Sequence, residues 1–202
     1  MCRTLCILCV ACLALTCACG ARDKEAAAWQ PATQFERRLQ EVLDCTIRPQ
    51  PLGTYGSGAA PEDMIYAMTV GDRERFAAVG RARGYQGEVQ VLLSIEGGKG
   101  QPLPDDPAVF RTLVIASNET EGYGTKTQEV PAGWPAGKAP PFHLQFWGKR
   151  LSELGLDAAS AGEGIAAISG ATHTSRAAVD AARQAAERIV ARVAEARLTR
   201  HR

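Results

Sequence analysis

Apolar residues recur along this chain in three rhythms, and each marks a different kind of element. The first is a run without period, from Leu5 through Ile7, Leu8, Val10 and Leu13 to about Ala18. Arg3 stands before it, and Gly20-Ala-Arg-Asp-Lys turns the chain polar after it. A positive start, an apolar middle and small residues at the end have the shape of a secretory signal. Two fates remain open for it. One is cleavage before Cys19 with lipidation of the new terminal cysteine: Ala18 supplies the small residue before it, although Thr16 stands where a lipoprotein signal usually has Leu. The other is retention as a single membrane helix, in a run shorter than the ~20 residues that comfortably span a bilayer. Either fate leaves the rest of the chain outside the cytoplasm and tied to a membrane. The chain therefore divides into an anchor over 1–20, a polar, Ala-rich linker over 21–33 and a folded domain over 34–202.

The second rhythm is helical. Phe35, Leu39, Val42 and Leu43 follow Pro31 at spacings of three and four, which predicts a helix. Beyond Arg176 the chain runs to about Arg197 without Gly or Pro. There Val179, Ala182, Ala186, Ile189 and Val193 mark one face of a long helix. The third rhythm is that of strands. Glu88–Glu96 is the clearest, Met64–Val70 and Val109–Ser117 are further strands, and Phe142–Trp147 reads as a short one. Arg75–Ala82 is ambiguous between strand and helix, and Leu151–Leu156 reads as a turn of helix. Asn118–Pro141 is Gly- and Pro-rich; an irregular stretch of this length inside a domain is usually functional. Strands bracketed by helices, with turns suited to antiparallel pairing, predict an α+β domain: a mostly antiparallel sheet packed with helices, the long one last.

Composition then removes several functions. A formal net charge of +1 argues against nucleic acid as a partner. Six of the seven cysteines lie in the first nineteen residues, so the body has no internal disulfide framework and no paired cysteines for zinc or iron–sulfur. Those at Cys6, Cys9 and Cys12 sit in the apolar run as small hydrophobes. Cys45, at the end of the first helix, is expected as a buried thiol. His143 and His173 raise a metal or general-base role, and His173, at a turn, is expected in solvent. Trp134 and Trp147 are expected in the core. No Walker spacing and no nucleophile elbow is found.

One segment carries more. Ser169-Gly170-Ala171-Thr172-His173-Thr174-Ser175 stands before the long helix. As a helix cap, Thr174 or Ser175 would accept a first-turn amide, with Gly170 permitting the turn. As an anion site, the small side chains clear space at Thr172. The positive end of the helix, with Arg176 beside it, then favours a phosphate.

The Ser-Gly-Ala-Thr run followed by Thr174-Ser175 resembles the flavinylation motif of the RnfG/NqrC family of FMN-binding subunits. Glu119-Thr120-Glu121-Gly122-Tyr123-Gly124 is similar to that family's Glu-Thr-Pro-Gly-hydrophobic-Gly segment, and Gly84-Tyr85-Gln86-Gly87 to its Gly-Tyr-x-Gly stretch. The order and spacing of these blocks span roughly residues 60 to 190. The resemblance implies FMN joined through its phosphate to Thr172 by a separate flavin transferase. Ser169, Gly170, Ala171 and Thr174 would lie near the phosphate, and Glu119, Thr120, Gly122 and Gly124 along the flavin. It further implies an electron-transfer subunit, rather than a stand-alone catalyst, in a membrane oxidoreductase that couples electron flow to ion movement. Its partners would be the other subunits of that complex. It would be anchored to the inner membrane by its N-terminal segment, with the domain on the periplasmic side. Two departures stand out: Ala166 replaces the usual Asp three residues before Ser169, and Glu121 replaces the Pro of the second block. A domain of this fold with loosely held flavin or none, used for attachment to partners, is the alternative; an unrelated surface lipoprotein whose motif is only a helix cap is the third possibility.

Overall fold

The computed structural model describes residues 28–53, 56, 58–117, 124–135, 140–157 and 164–200. The expected anchor over 1–20 and most of the linker lie outside these residues, and no helix among the described residues is long and apolar enough to cross a membrane. The elements are α1 (Gln34–Leu43), β1 (Gln50–Pro51), β2 (Tyr66–Val70), β3 (Arg73–Arg83), β4 (Glu88–Gly98), β5 (Val109–Ser117), α2 (Pro141–Leu144), β6 (Leu156–Asp157), β7 (Ile165–Ala166) and α3 (Thr172–Arg200). Strands β1 to β5 form one sheet in sequence order, every neighbour antiparallel, while β6 and β7 pair in parallel. The fold is α+β, with the long helix at the C-terminal end, as the residue pattern predicts.

The sheet is covered on both faces. Side chains alternate along a strand, so Phe76 and Ala78 on β3 join Val89, Val91, Leu93 and Ile95 on β4 beneath α3. Ala77, Val79, Leu92 and Leu113 point the other way, to Leu39, Val42 and Leu43 of α1. Double coverage explains why Arg75–Ala82 looks ambiguous as sequence: both faces of β3 are apolar, so the alternation that marks a half-exposed strand is missing. Helix α1 starts in a capping box, with Thr33 Oγ1 accepting from the Glu36 N–H at 3.1 Å and the Glu36 carboxylate accepting from the Thr33 N–H at 3.2 Å.

Helix α3 lies on the sheet through a stripe of alanines. Ala178, Ala181, Ala182, Ala185 and Ala186 are all buried, with Ile189 and Val193 continuing the stripe. Opposite them stands Gly80, where an added Cβ would come within 1.8 Å of the Ala181 carbonyl oxygen and 2.8 Å of the Ala185 nitrogen. Both are backbone atoms, so only glycine admits the helix at this depth.

Backbone groups on both flanks of the long strands are engaged by other elements. β3 outruns β2 beyond Ala77, and α3 serves the edge left over. The Arg81 N–H donates to Gln184 Oε1 at 2.7 Å, and Arg188 donates to the Val79 carbonyl. On the far side β5 carries one extra residue, Ile115, between the partners of Gln90 and Val91. There the Val114 N–H donates to His143 Nε2 at 3.2 Å, and Val109 exchanges 2.8 Å bonds with Gly148 and Lys149.

Phe142–Trp147 is not a strand. Pro141 opens α2 at its first turn, and Phe142 and Phe146 fall on one face, edge to face at 5.4 Å. The expected turn of helix near Leu151 is the 3-10 helix Leu151–Glu153. Trp147 does not enter the core, being 37% exposed, and Trp134 is only half-buried; the core space beside α2 is filled by Phe142 and Phe146.

Candidate functional site

The segment Ser169–Ser175 forms the mouth of α3, and its shape follows from two residues. Gly170 adopts φ +77°, a left-handed conformation that reverses the chain. Ser175 then ties the loop down from inside the helix. Its N–H and its hydroxyl both donate to the Ala171 carbonyl, each at 2.9 Å, while its Oγ accepts the Ile168 N–H at 3.1 Å. The helix therefore begins at Thr172, a full turn before Arg176. Neither Thr174 nor Ser175 is the N-cap; both lie in the first turn with side chains buried to 2% and 0%. The capping position falls on Ala171, whose methyl group accepts nothing.

This has a chemical consequence. Among the described residues, no acceptor takes the backbone N–H of Thr172, His173 or Thr174. Three donors at the positive end of a 29-residue helix are thus without an acceptor among the described residues. Thr172 is exposed beside them, as are Ser169, Gly170 and Arg176, while Ala171 is buried under the turn. An exposed hydroxyl, unsatisfied amides, small neighbours and a nearby guanidinium suit a phosphate ester at Thr172.

Neighbouring elements hold this mouth in place. Gln145, just after α2, accepts the Ala166 N–H at 2.7 Å. Lys126, on the 3-10 helix Gly124–Gln128, donates to the Ser169 carbonyl at 3.3 Å. Arg183 donates to the Leu154 carbonyl, and the Ile165 N–H donates to the Gly155 carbonyl at 2.8 Å, which fixes the strand leading in. Ala166 itself is exposed in β7. The hairpin joining β3 and β4 closes the remaining side: the Tyr85 ring lies 5.8 Å from that of His173, and both are exposed.

Of the residues singled out in the sequence, Ser169, Gly170, Ala171, Thr172 and Thr174 thus meet at the helix mouth. Gly124 opens the 3-10 helix that carries Lys126. Glu119, Thr120 and Gly122 lie outside the described residues, as does Glu121. Lys126, Gln145 and Tyr85 were not singled out as site residues, although Tyr85 stands inside a segment that carries the resemblance.

The two histidines part company. His173 is exposed at the site, as expected of a residue at a turn. His143 is buried to 3%, behind the 3-10 helix that holds Lys126. Burial, reinforced by the charge of Arg38, lowers its pKa from 6.5 to about 4, against an opposing pull from the Thr127 backbone. It is therefore a neutral acceptor for the β5 bulge at neutral pH. Cys45 is buried, as expected, and burial raises its thiol pKa to about 11, so it stays protonated and unreactive.

The family model described as FMN-binding domain matches residues 84–187, just over half of the chain. The match contains the turn between β3 and β4, β4 itself, the 3-10 helix with Lys126 and the mouth of α3. No curated protein matches the chain.

Proposed function

From a chain that belongs to the FMN-binding domain family, and whose cofactor is FMN, we propose an electron-transfer subunit of a membrane-bound, ion-translocating oxidoreductase of the Rnf type, with FMN joined by a phosphoester to Thr172. The observation that carries this reading is the helix mouth: an exposed Thr172 hydroxyl beside three amide N–H groups that donate to no acceptor among the described residues. Bound FMN supplies one- and two-electron chemistry that no side chain can. The chain's own part is to present, compensate and hold. Thr172 Oγ1 is the atom to which a flavin transferase would join the phosphoryl end of FAD, with AMP leaving and the hydroxyl proton released. The amides of Thr172, His173 and Thr174, with Arg176, would balance the charge that remains. Lys126 and Ser175 hold the loop so that this geometry exists before the phosphate arrives.

The same reading assigns the N-terminal run to a tether, by lipid or as a single span. The domain would sit on the periplasmic side of the inner membrane, where other subunits of the complex donate and accept its electrons. One observation favours the alternative of a domain that holds flavin without a bond. Ala166 is an exposed alanine where the resemblance leads one to expect a carboxylate, so a transferase that reads that acid finds none.

Coexpression of the full chain with a flavin transferase decides between them. Intact-mass analysis is expected to find the mass of FMN less water, and a denaturing gel is expected to fluoresce in that lane. Both signals should vanish in Thr172→Ala. A folded protein that binds flavin but weighs no more than its peptide and any lipid would overturn covalent attachment and leave the alternative standing.

A further inference from the structure

The tip of the β3–β4 hairpin carries an aromatic side chain for which packing gives no reason. Tyr85 sits in the turn Gly84–Gly87, which is closed by the Gly84 N–H on the Gly87 carbonyl at 2.7 Å. At 72% exposure it is the most exposed large apolar or aromatic side chain among the described residues. A tight turn favours small polar residues, and a solvated aromatic face forgoes the burial that makes such rings stabilising. Tyr85 is also placed with respect to something: its ring stands 5.8 Å from the His173 ring, at an interplanar angle of 38°. His173 follows Thr172 directly, so the two rings form an aromatic surface beside the exposed hydroxyl. The start of the loop is of another character, because Lys126 donates to the Ser169 carbonyl there. The mouth of α3 thus has one wall suited to a flat conjugated ring and one suited to charge.

We propose that Tyr85 and His173 form a shelf that receives the isoalloxazine ring of a flavin attached at Thr172. The inference rests on the attachment described above and adds, among the described residues, an aromatic surface for the ring. Attachment through a flexible ribityl chain leaves the ring free to tumble, whereas an aromatic shelf holds it by offset stacking. A tyrosine against an isoalloxazine also quenches its fluorescence, because the phenol lends an electron to the excited ring and receives it back. Tyr85 and His173 are positioning residues, and no covalent step depends on them.

The test uses the full chain coexpressed with a flavin transferase, as wild type, Tyr85→Leu and Tyr85→Phe. Intact mass reports attachment, and fluorescence and visible circular dichroism of the folded protein report the ring. Equal adduct mass is expected in all three, since the ester forms at Thr172 Oγ1 and Tyr85 takes no part in that covalent step. Wild type should be dimmer folded than in guanidinium. Tyr85→Leu should brighten by about two- to tenfold, the change in stacked population that a ring-stacking preference of ordinary size gives, and lose the visible dichroism. Tyr85→Phe should brighten yet keep the dichroism, because the ring remains and the phenol is gone. Equal adducts with unchanged fluorescence and dichroism in Tyr85→Leu would overturn the shelf and leave attachment intact. Absence of the adduct from wild type would overturn attachment, and the shelf with it. The exposure of Tyr85 makes loss of folding a small risk; should Tyr85→Leu misfold, unchanged fluorescence in Tyr85→Phe would overturn the shelf by itself.

Discussion

Helix α3 is two different objects along its length. From Ala178 to Val193 it is packing, a stripe of small side chains set against β3 with no room for a methyl group at Gly80. At Thr172 and His173 it is solvent-facing, and three of its amides meet no acceptor among the described residues. The difference teaches where this fold keeps its stability and where its reactivity. The body of the helix is over-determined by backbone contact, and that rigidity lets its first turn stay open without fraying.

Substitutions sharpen this contrast, and their effects on unfolding should fall in order from the body of the helix to its mouth. Gly80→Ala forces a Cβ into the Ala181 carbonyl. It should cost about 4 kcal/mol, the range of severe core overpacking, read by urea unfolding of the flavin-free protein. A loss below about 1 kcal/mol would mean that α3 can lift off the sheet, and the contrast would break. Next comes acid. His143 is neutral in the folded protein down to about pH 4, whereas its unfolded counterpart takes up a proton below 6.5. The unfolded state binds more protons between those values, so stability should fall as pH drops from 6.5 to about 4, by about 3 kcal/mol in all. His143→Gln should flatten that slope. Ser175→Ala removes the acceptor for the Ile168 N–H and the extra bond to Ala171. It should cost about 1–2 kcal/mol and reduce the yield of flavin adduct, because the loop loses its internal tie. Smallest is Thr172→Ala, which should change unfolding by less than about 0.5 kcal/mol while abolishing the adduct. A large stability loss there would make Thr172 a structural residue.

How much of this was legible in the sequence depends on the range over which each feature is set. β4 and β5 are recognisable from their β-branched runs, and α1 from its spacing, since these are local properties. β3 is blurred because two helical layers bury both its faces. α2 reads as a strand because Phe142–Trp147 is too short for its period to show, and the decisive residue, Pro141, lies just outside that span. The start of α3 is misplaced by a turn. Hydroxyl side chains suggest caps, but Gly170 and the Ala171 carbonyl close the turn sooner, and Ser175 works backwards from inside. At the site, the Ser169–Thr172 run is contiguous and so is visible in one line of sequence. Lys126, Gln145 and Tyr85 converge on it from three separate segments, and only the sheet and its crossing helix bring them together.

The engaged backbone groups on the flanks of the long strands bear on how other proteins can approach. A bare strand end invites a visiting chain to extend the sheet, the route to domain exchange and fibrils. Here Gln184 and Arg188 occupy the vacant groups beside Gly80 on one border, while His143, Gly148 and Lys149 occupy groups on the other. Association by backbone annexation is thereby discouraged at both borders. Any companion is left to meet the molecule through side-chain surfaces, leaving its ladder undisturbed.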